Sequence, residues 1–271
     1  LGMFTLLTDQ QTITDFTSTI GNKNLLSSYI CIAMPVMIAM SVITEKTLLR
    51  AIYLIATGLG FAALMTADSD SGILGMAVFM IIYLVWFSNS LVRLKRFFLS
   101  ATVMLLFAKL LRLFSLCFDD KSKGFDKFQE IFVFSGIGWI LLAACAVITG
   151  ILYLIDYKKP NITISKAVPI ALAVVFGLCA VAMIGIMVYF SCIDTKTDLG
   201  SFERIIRFND RWGTHRGFMW IRSIWIFGDA SFIEKLFGVG PDMFYSAFRP
   251  YFNDLLKYGD SSTNAAHNEY L

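Results

Sequence analysis

Two groups of residues near the carboxy-terminal end of the chain have the types and spacing for chemistry. The first is basic and aromatic: Arg204, Arg207, Arg211, Arg216 and Arg222, interleaved with Phe208, Trp212 and Trp220, with His215 among them. The second is His267-Asn268-Glu269-Tyr270-Leu271. Guanidinium is planar, permanently charged and shaped for bidentate contact with phosphate oxygens. On a helix, Arg204, Arg207 and Arg211 would share one face, with Arg216 just beyond it. That pattern predicts a clamp for a phosphate-bearing lipid; a solvated face balanced by Glu203, Asp210 and Asp229 is the structural alternative. An imidazole titrates near neutrality and can take a proton from an attacking sugar hydroxyl, the role open to His267. Capping a loop or helix is its other reading. His215 reads as part of the basic face.

A further pair, Lys109 and Arg112, is three residues apart inside an apolar run and so shares one helix face. Ionisable groups within a span are costly and usually face a cavity. They read as a second phosphate contact or as side chains snorkelling to the headgroups. Cys31, Cys117, Cys145, Cys179 and Cys192 lack metal-ligand spacing and read as small buried hydrophobes. The chain has no nucleotide-type glycine loop, zinc spacing or serine nucleophile elbow, so neither metal nor cofactor is expected.

The elements that must position these groups are membrane helices. Hydrophobic residues make up 57% of the 271, charged residues only 16%, and mean hydropathy is +0.68. A soluble domain carries about 45–50% apolar and about 25% charged residues. A net charge of +3, with the cations in short clusters between apolar runs, argues against a nucleic-acid partner. Apolar runs at about 25–43, 48–66, 73–92, 97–117, 131–155 and 167–190 each reach the roughly 20 residues a spanning helix needs. The expected fold is therefore an all-α polytopic membrane protein of about six transmembrane helices, with a helical extracytoplasmic loop region.

Connections 44–50, 91–96 and 156–166 carry Lys46, Arg50, Arg93, Lys95, Arg96, Lys158, Lys159 and Lys166. The alternate connections are acidic or balanced. Basic loops stay cytoplasmic, which puts 1–24, 66–72, 118–130 and 191–271 outside the cytoplasmic membrane. The expected organisation is a bundle at 1–190, a large outer helical loop at 191–266, and the start of a further span at 267–271. The chain reads as a piece of a longer protein, cut at both ends and not expected to be active alone. Within the outer loop, helices are expected over Ser201 to Arg211, Thr214 to Phe227 and Asp242 to Tyr258, with a short turn over Ser231 to Phe237.

The order of three motifs resembles the O-antigen ligase and O-antigen polymerase family of bacterial membrane glycosyltransferases. They are Arg216-Gly217-Phe218-Met219-Trp220, then Leu236-Phe237-Gly238-Val239-Gly240 followed by Phe244, then Ala266-His267-Asn268-Glu269-Tyr270-Leu271. The resemblance implies metal-independent transfer of a glycan from a polyprenyl-pyrophosphate carrier to a sugar hydroxyl of an acceptor glycan or glycolipid. His267 would be the base, and Arg216 would hold the pyrophosphate and offset leaving-group charge. Arg211, Arg207, Lys109 and Arg112 would be further pyrophosphate contacts. The family's earlier Ser-Arg-x-Gly motif corresponds here to Ser69-Asp70-Ser71-Gly72, without the arginine. The other function open to such a chain is a non-catalytic transporter or flippase of lipid-linked glycans. Transporters keep polar sites near the bilayer midplane and show repeated halves, whereas the chemistry-bearing residues here gather outside.

Overall fold

The computed structural model describes residues 20, 22–67, 69–117, 127–159, 162–240 and 243–258. All regular elements among them are helical. The bundle contains α1 (Lys23–Ile43), α2 (Thr47–Thr66), α3 (Asp70–Phe87), α4 (Leu91–Cys117), α5 (Lys127–Val133) and α6 (Gly136–Lys158). Then follow α7 (Ala167–Val188), extended by a π-helical turn (Tyr189–Ile193), and five shorter helices: α8 (Glu203–Ile206), α9 (Trp212–Asp229), α10 (Phe232–Phe237), α11 (Phe244–Phe248) and α12 (Phe252–Leu255). The chain divides into two compact units, the second beginning at Gly177 within α7.

Among the described residues, five helices are long and apolar enough to cross a membrane: α1, α2, α3, α6 and the α7 helix through Ile193. This is a membrane protein. The sixth expected run, 97–117, lies inside α4, which has 27 residues. At 1.5 Å per residue α4 is about 40 Å long. The expected span at 131–155 is divided: α5 ends at Val133, Phe134 and Ser135 interrupt the helix, and α6 restarts at Gly136 with the Ser135 hydroxyl capping the Ile137 N–H.

Helix α4 is the centre of the first unit and packs on α1, α2, α3, α5 and α6. Met34, Ile38 and Val42 of α1, Leu64 and Met65 of α2, Phe87 of α3 and Met104 and Ala108 of α4 form the dry core. The other faces remain apolar and bare, as suits helices whose solvent is lipid rather than water. No residue of α7 is buried. Polar side chains inside the bundle are paired across helices: Ser41 with Ser100 at 2.7 Å, Thr102 with Thr149 at 3.2 Å, and Tyr83 donating to the Pro35 carbonyl.

The two ends of the bundle differ in charge. At one end Arg96 donates to the carbonyls of Val42 and Thr44, and Lys95 pairs with Asp156 while lying over the Tyr153 ring. The basic connections 44–46 and 91–96 and the end of α6 therefore meet. At the opposite end Ser69 donates to Asn24 and pairs with Ser71. Gly72 there lies so close to α1 and α2 that a Cβ would stand 2.8 Å from Leu64 and 2.9 Å from Ser27. That glycine is a packing residue.

The α5–α6 break depends on a similar approach. A Cβ at Gly138 would stand 2.5 Å from the Phe132 carbonyl oxygen and 2.6 Å from the Lys109 ammonium. Gly138→Ala is therefore expected to destabilise the bundle by about 1–3 kcal/mol, read as a lowered thermal midpoint in detergent. Gly150→Ala, in the same helix with open space around it, should leave the midpoint unchanged or raise it.

Candidate functional site

The helix expected to carry Arg204, Arg207 and Arg211 on one face does not extend that far. Helix α8 ends at Ile206, and Arg207 turns to an extended conformation (φ −92°, ψ 115°). The three arginines do not lie on one helix, and their i, i+3, i+7 spacing loses its meaning. The cause is the demand of the backbone just upstream, where the π-helical turn ends and leaves carbonyls without helical partners.

Arg207 meets that demand. Its Nε donates to the Phe190 carbonyl at 3.2 Å, one Nη to the carbonyls of Asp194 (3.2 Å) and Thr197 (2.7 Å), and the other Nη to Glu203 at 3.2 Å. The residue is 8% exposed. One residue on, the Phe208 N–H donates to the Ser191 hydroxyl at 2.8 Å. The chain thus returns to the end of α7 after a loop of some fifteen residues and is fastened there. Within the loop, Asp194 accepts from the Thr197 hydroxyl at 2.7 Å and from the N–H groups of Thr197 and Lys196. Those bonds, the Thr197 hydroxyl foremost, hold the Asp194 carboxyl below its ordinary pKa, with a smaller contribution from Arg207.

Arg222 is likewise engaged. It forks onto Asp210 with contacts of 2.5 Å and 3.0 Å, and its guanidinium lies over the rings of Phe218 (4.2 Å) and Trp225 (4.7 Å). This pair ties α9 to the loop before it, in a setting where an ion pair also has aromatic faces to rest on.

Helix α9 begins sharply. Gly213 has φ +55°, in the region that L side chains rarely adopt. Gly217 is pressed against the preceding loop: a Cβ there would lie 2.0 Å from the Asn209 carbonyl oxygen. Trp220 stacks near Trp212 (5.2 Å between centroids) and Phe208 (6.3 Å), and the Trp212 indole donates to the Ile205 carbonyl. Phe218 and Met219 enter a second core with Phe248 and Leu255. The motif Arg216-Gly217-Phe218-Met219-Trp220 is therefore a seat: Gly217 and Trp220 dock the helix on the loop, and Phe218 and Met219 fill the core. Arg216 is the member left over. It is half-buried in the first turns of α9, and neither it nor the exposed Arg211 has a side-chain partner among the described residues.

The other candidates are placed as follows. Lys109 is 3% exposed, donates to the carbonyls of Val133 (3.1 Å) and Ser135 (3.0 Å), and lies over the Trp139 ring at 5.3 Å. It holds the α5–α6 break together. Arg112, half-buried, lies one turn further along α4. These two belong to the first unit, and Arg207, Arg211 and Arg216 to the second. His267 lies outside the described residues, as do the side chains of Arg204 and His215. The structural roles of Lys109 and Arg207 escape a reading by spacing, because their partners are carbonyls that every residue carries. The one hint was Ser135, with Gly136 and Gly138, inside an otherwise apolar run.

No family model matches the chain, and no curated protein or solved structure matches it.

Two outcomes follow from the fastening at the end of α7. Arg207→Ala leaves three carbonyls without their donor and should cost about 1–3 kcal/mol, seen as faster proteolysis between residues 190 and 211 while the bundle stays protected. The Asp194 carboxyl, depressed in the folded chain, contributes stability above its unfolded pKa of about 3.9. That contribution is lost as pH falls through the lower folded value. Proteolysis of the loop should accelerate below about pH 4, and Asp194→Asn should flatten the profile.

Proposed function

We propose that the protein belongs to an enzyme transferring a glycan from a polyprenyl-pyrophosphate carrier to an acceptor sugar hydroxyl at the outer face of the cytoplasmic membrane. The observation that carries this reading is the sorting of the arginines in the second unit. Arg207 and Arg222 are bound to carbonyls or to a carboxylate, whereas Arg211 and Arg216 flank the start of an 18-residue helix with no carboxylate on either among the described residues. Two guanidiniums beside the positive end of a helix dipole suit a diphosphate.

The meeting of the basic connections at one bundle end supports a cytoplasmic assignment for that end. By the same alternation of loop charge, the residues after α7 are read as lying outside, where a lipid-linked substrate is reached from the outer leaflet. In this mechanism Arg216, aided by Arg211, holds the pyrophosphate. His267 takes the proton of the acceptor hydroxyl as that oxygen attacks the anomeric carbon. The bond from that carbon to the pyrophosphate oxygen breaks, and the departing polyprenyl pyrophosphate carries away the electron pair beside Arg216. A fixed guanidinium at the developing charge accelerates such a step without reorganisation.

The test is carrier release from a polyprenyl-pyrophosphate glycan by the purified full-length protein, together with surface-polymer formation in cells. Arg216→Ala and His267→Ala should each lower turnover by about 10²–10³-fold with insertion unchanged, and Lys257→Ala should be silent. Normal carrier release and polymer yield in both variants would refute the mechanism.

A further inference from the structure

Helix α10 has both of its charged side chains tied to its own flank and all of its large apolar side chains bare. Ser231 caps it: its hydroxyl accepts from the Glu234 N–H, and the Glu234 carboxylate accepts from the Ser231 N–H at 2.8 Å. The Lys235 ammonium donates back to the Gly228 carbonyl at 2.7 Å and lies 6.0 Å from the centre of the Phe227 ring. Both charged groups of the helix are thus occupied by its own flank. Phe232, Ile233, Leu236 and Phe237 follow the spacing i, i+1, i+4 and i+5 and share one side. They are 76%, 68%, 62% and 82% exposed. Four large apolar side chains bare on six residues form a patch of the kind that marks an interaction site.

We infer that α10 is an in-plane membrane anchor, its Phe232–Phe237 face immersed in the headgroup–acyl boundary of the bilayer that α7 crosses. The occupant is lipid because of where the unit is fastened. The Arg207 and Phe208 bonds hold the chain to Phe190 and Ser191, at the very end of the spanning helix. Only Asn209, Asp210 and Arg211 separate that point from α9. Apolar side chains are bare beside the fastening, with Phe202 65% and Ile205 57% exposed, and again beyond the far end of α9 at α10. In this placement α9 lies along the membrane surface, with the two bare patches in lipid at its ends. Aromatic-rich faces of this kind insert about 5–10 Å into the boundary region. The anchor would keep α9, and with it Arg211 and Arg216, at the depth of lipid headgroups. It depends on the chain being a membrane protein and not on glycan transfer.

The experiment uses the full-length protein with its native cysteines replaced, reconstituted in phosphatidylcholine–phosphatidylglycerol vesicles. An environment-sensitive fluorophore is attached at Phe237→Cys and, separately, at Phe232→Cys; both side chains are so exposed that labelling removes little packing. Asn253→Cys, exposed on α12, is the comparison site. The expected result is blue-shifted emission at 232 and 237, quenched severalfold more by lipids nitroxide-labelled near the headgroup than by aqueous iodide. Stronger iodide quenching at both sites would mean a water-exposed face and overturn the anchor. Protection from both quenchers would mean a protein cover, whether a second copy or another segment of this chain, and would overturn it equally. Carrier release measured on the same vesicles separates this outcome from that of the glycan-transfer reading.

Discussion

Where a helix ends inside or against a membrane, its last carbonyls have no N–H to accept from and little water to turn to. Most of the structure described here follows from how those acceptors are satisfied. Lys109 takes the carbonyls at the α5–α6 break, Arg96 those at the end of α1, Arg207 those after the π-helical turn, and Lys235 that of Gly228 near the end of α9. A cation is well suited to this work. Its donors are several, and its charge is favoured at the negative end of a helix dipole. The cost of removing it from water is offset by carbonyls on one side and by aromatic faces on the other, as Trp139 does for Lys109.

This use of cations orders the chain into two kinds of place. At the basic end of the bundle, Arg96 and Lys95 close α1, α4 and α6 on one another. At the end of α7, Arg207 folds the following loop back onto the span and sets the starting point of α9. From there the second unit is assembled by aromatic contacts together with the Arg222–Asp210 pair. Phe218 meets Phe248, and Trp220 meets Trp212 and Phe208. Arg211 and Arg216 are held at the start of a helix whose own seating does not use their charge.

Differences between expected and observed elements have local causes. The helix expected over 201–211 stops at Ile206 because Arg207 must extend to reach the carbonyls of the upstream turn. The helix expected over 242–258 is divided, with α11 and α12 separated by a 3₁₀ turn at Arg249–Tyr251. Pro250, within that turn, has no N–H to continue an α-helical ladder. The expected span at 131–155 is interrupted at Ser135, whose hydroxyl starts the next helix. In each case the hydropathy pattern was continuous, and a single backbone requirement broke the element.

The amino-acid sequence alone determined that this is a helical membrane protein and where most of its long apolar helices run, because hydrocarbon accepts only a backbone whose hydrogen bonds close within each segment. It also located the stretch of short helices after α7 and the motif around Arg216, through their dense arginines and tryptophans. What it left open was which cations are structural. The spacing of Arg204, Arg207 and Arg211 on an imagined helix suggested one phosphate face, with Arg216 just beyond it and Lys109 as a second contact. Only the tertiary structure separates them, since the acceptors that claim Arg207 and Lys109 are main-chain carbonyls. Which carbonyl is left without a partner depends on where helices break and what packs against the break.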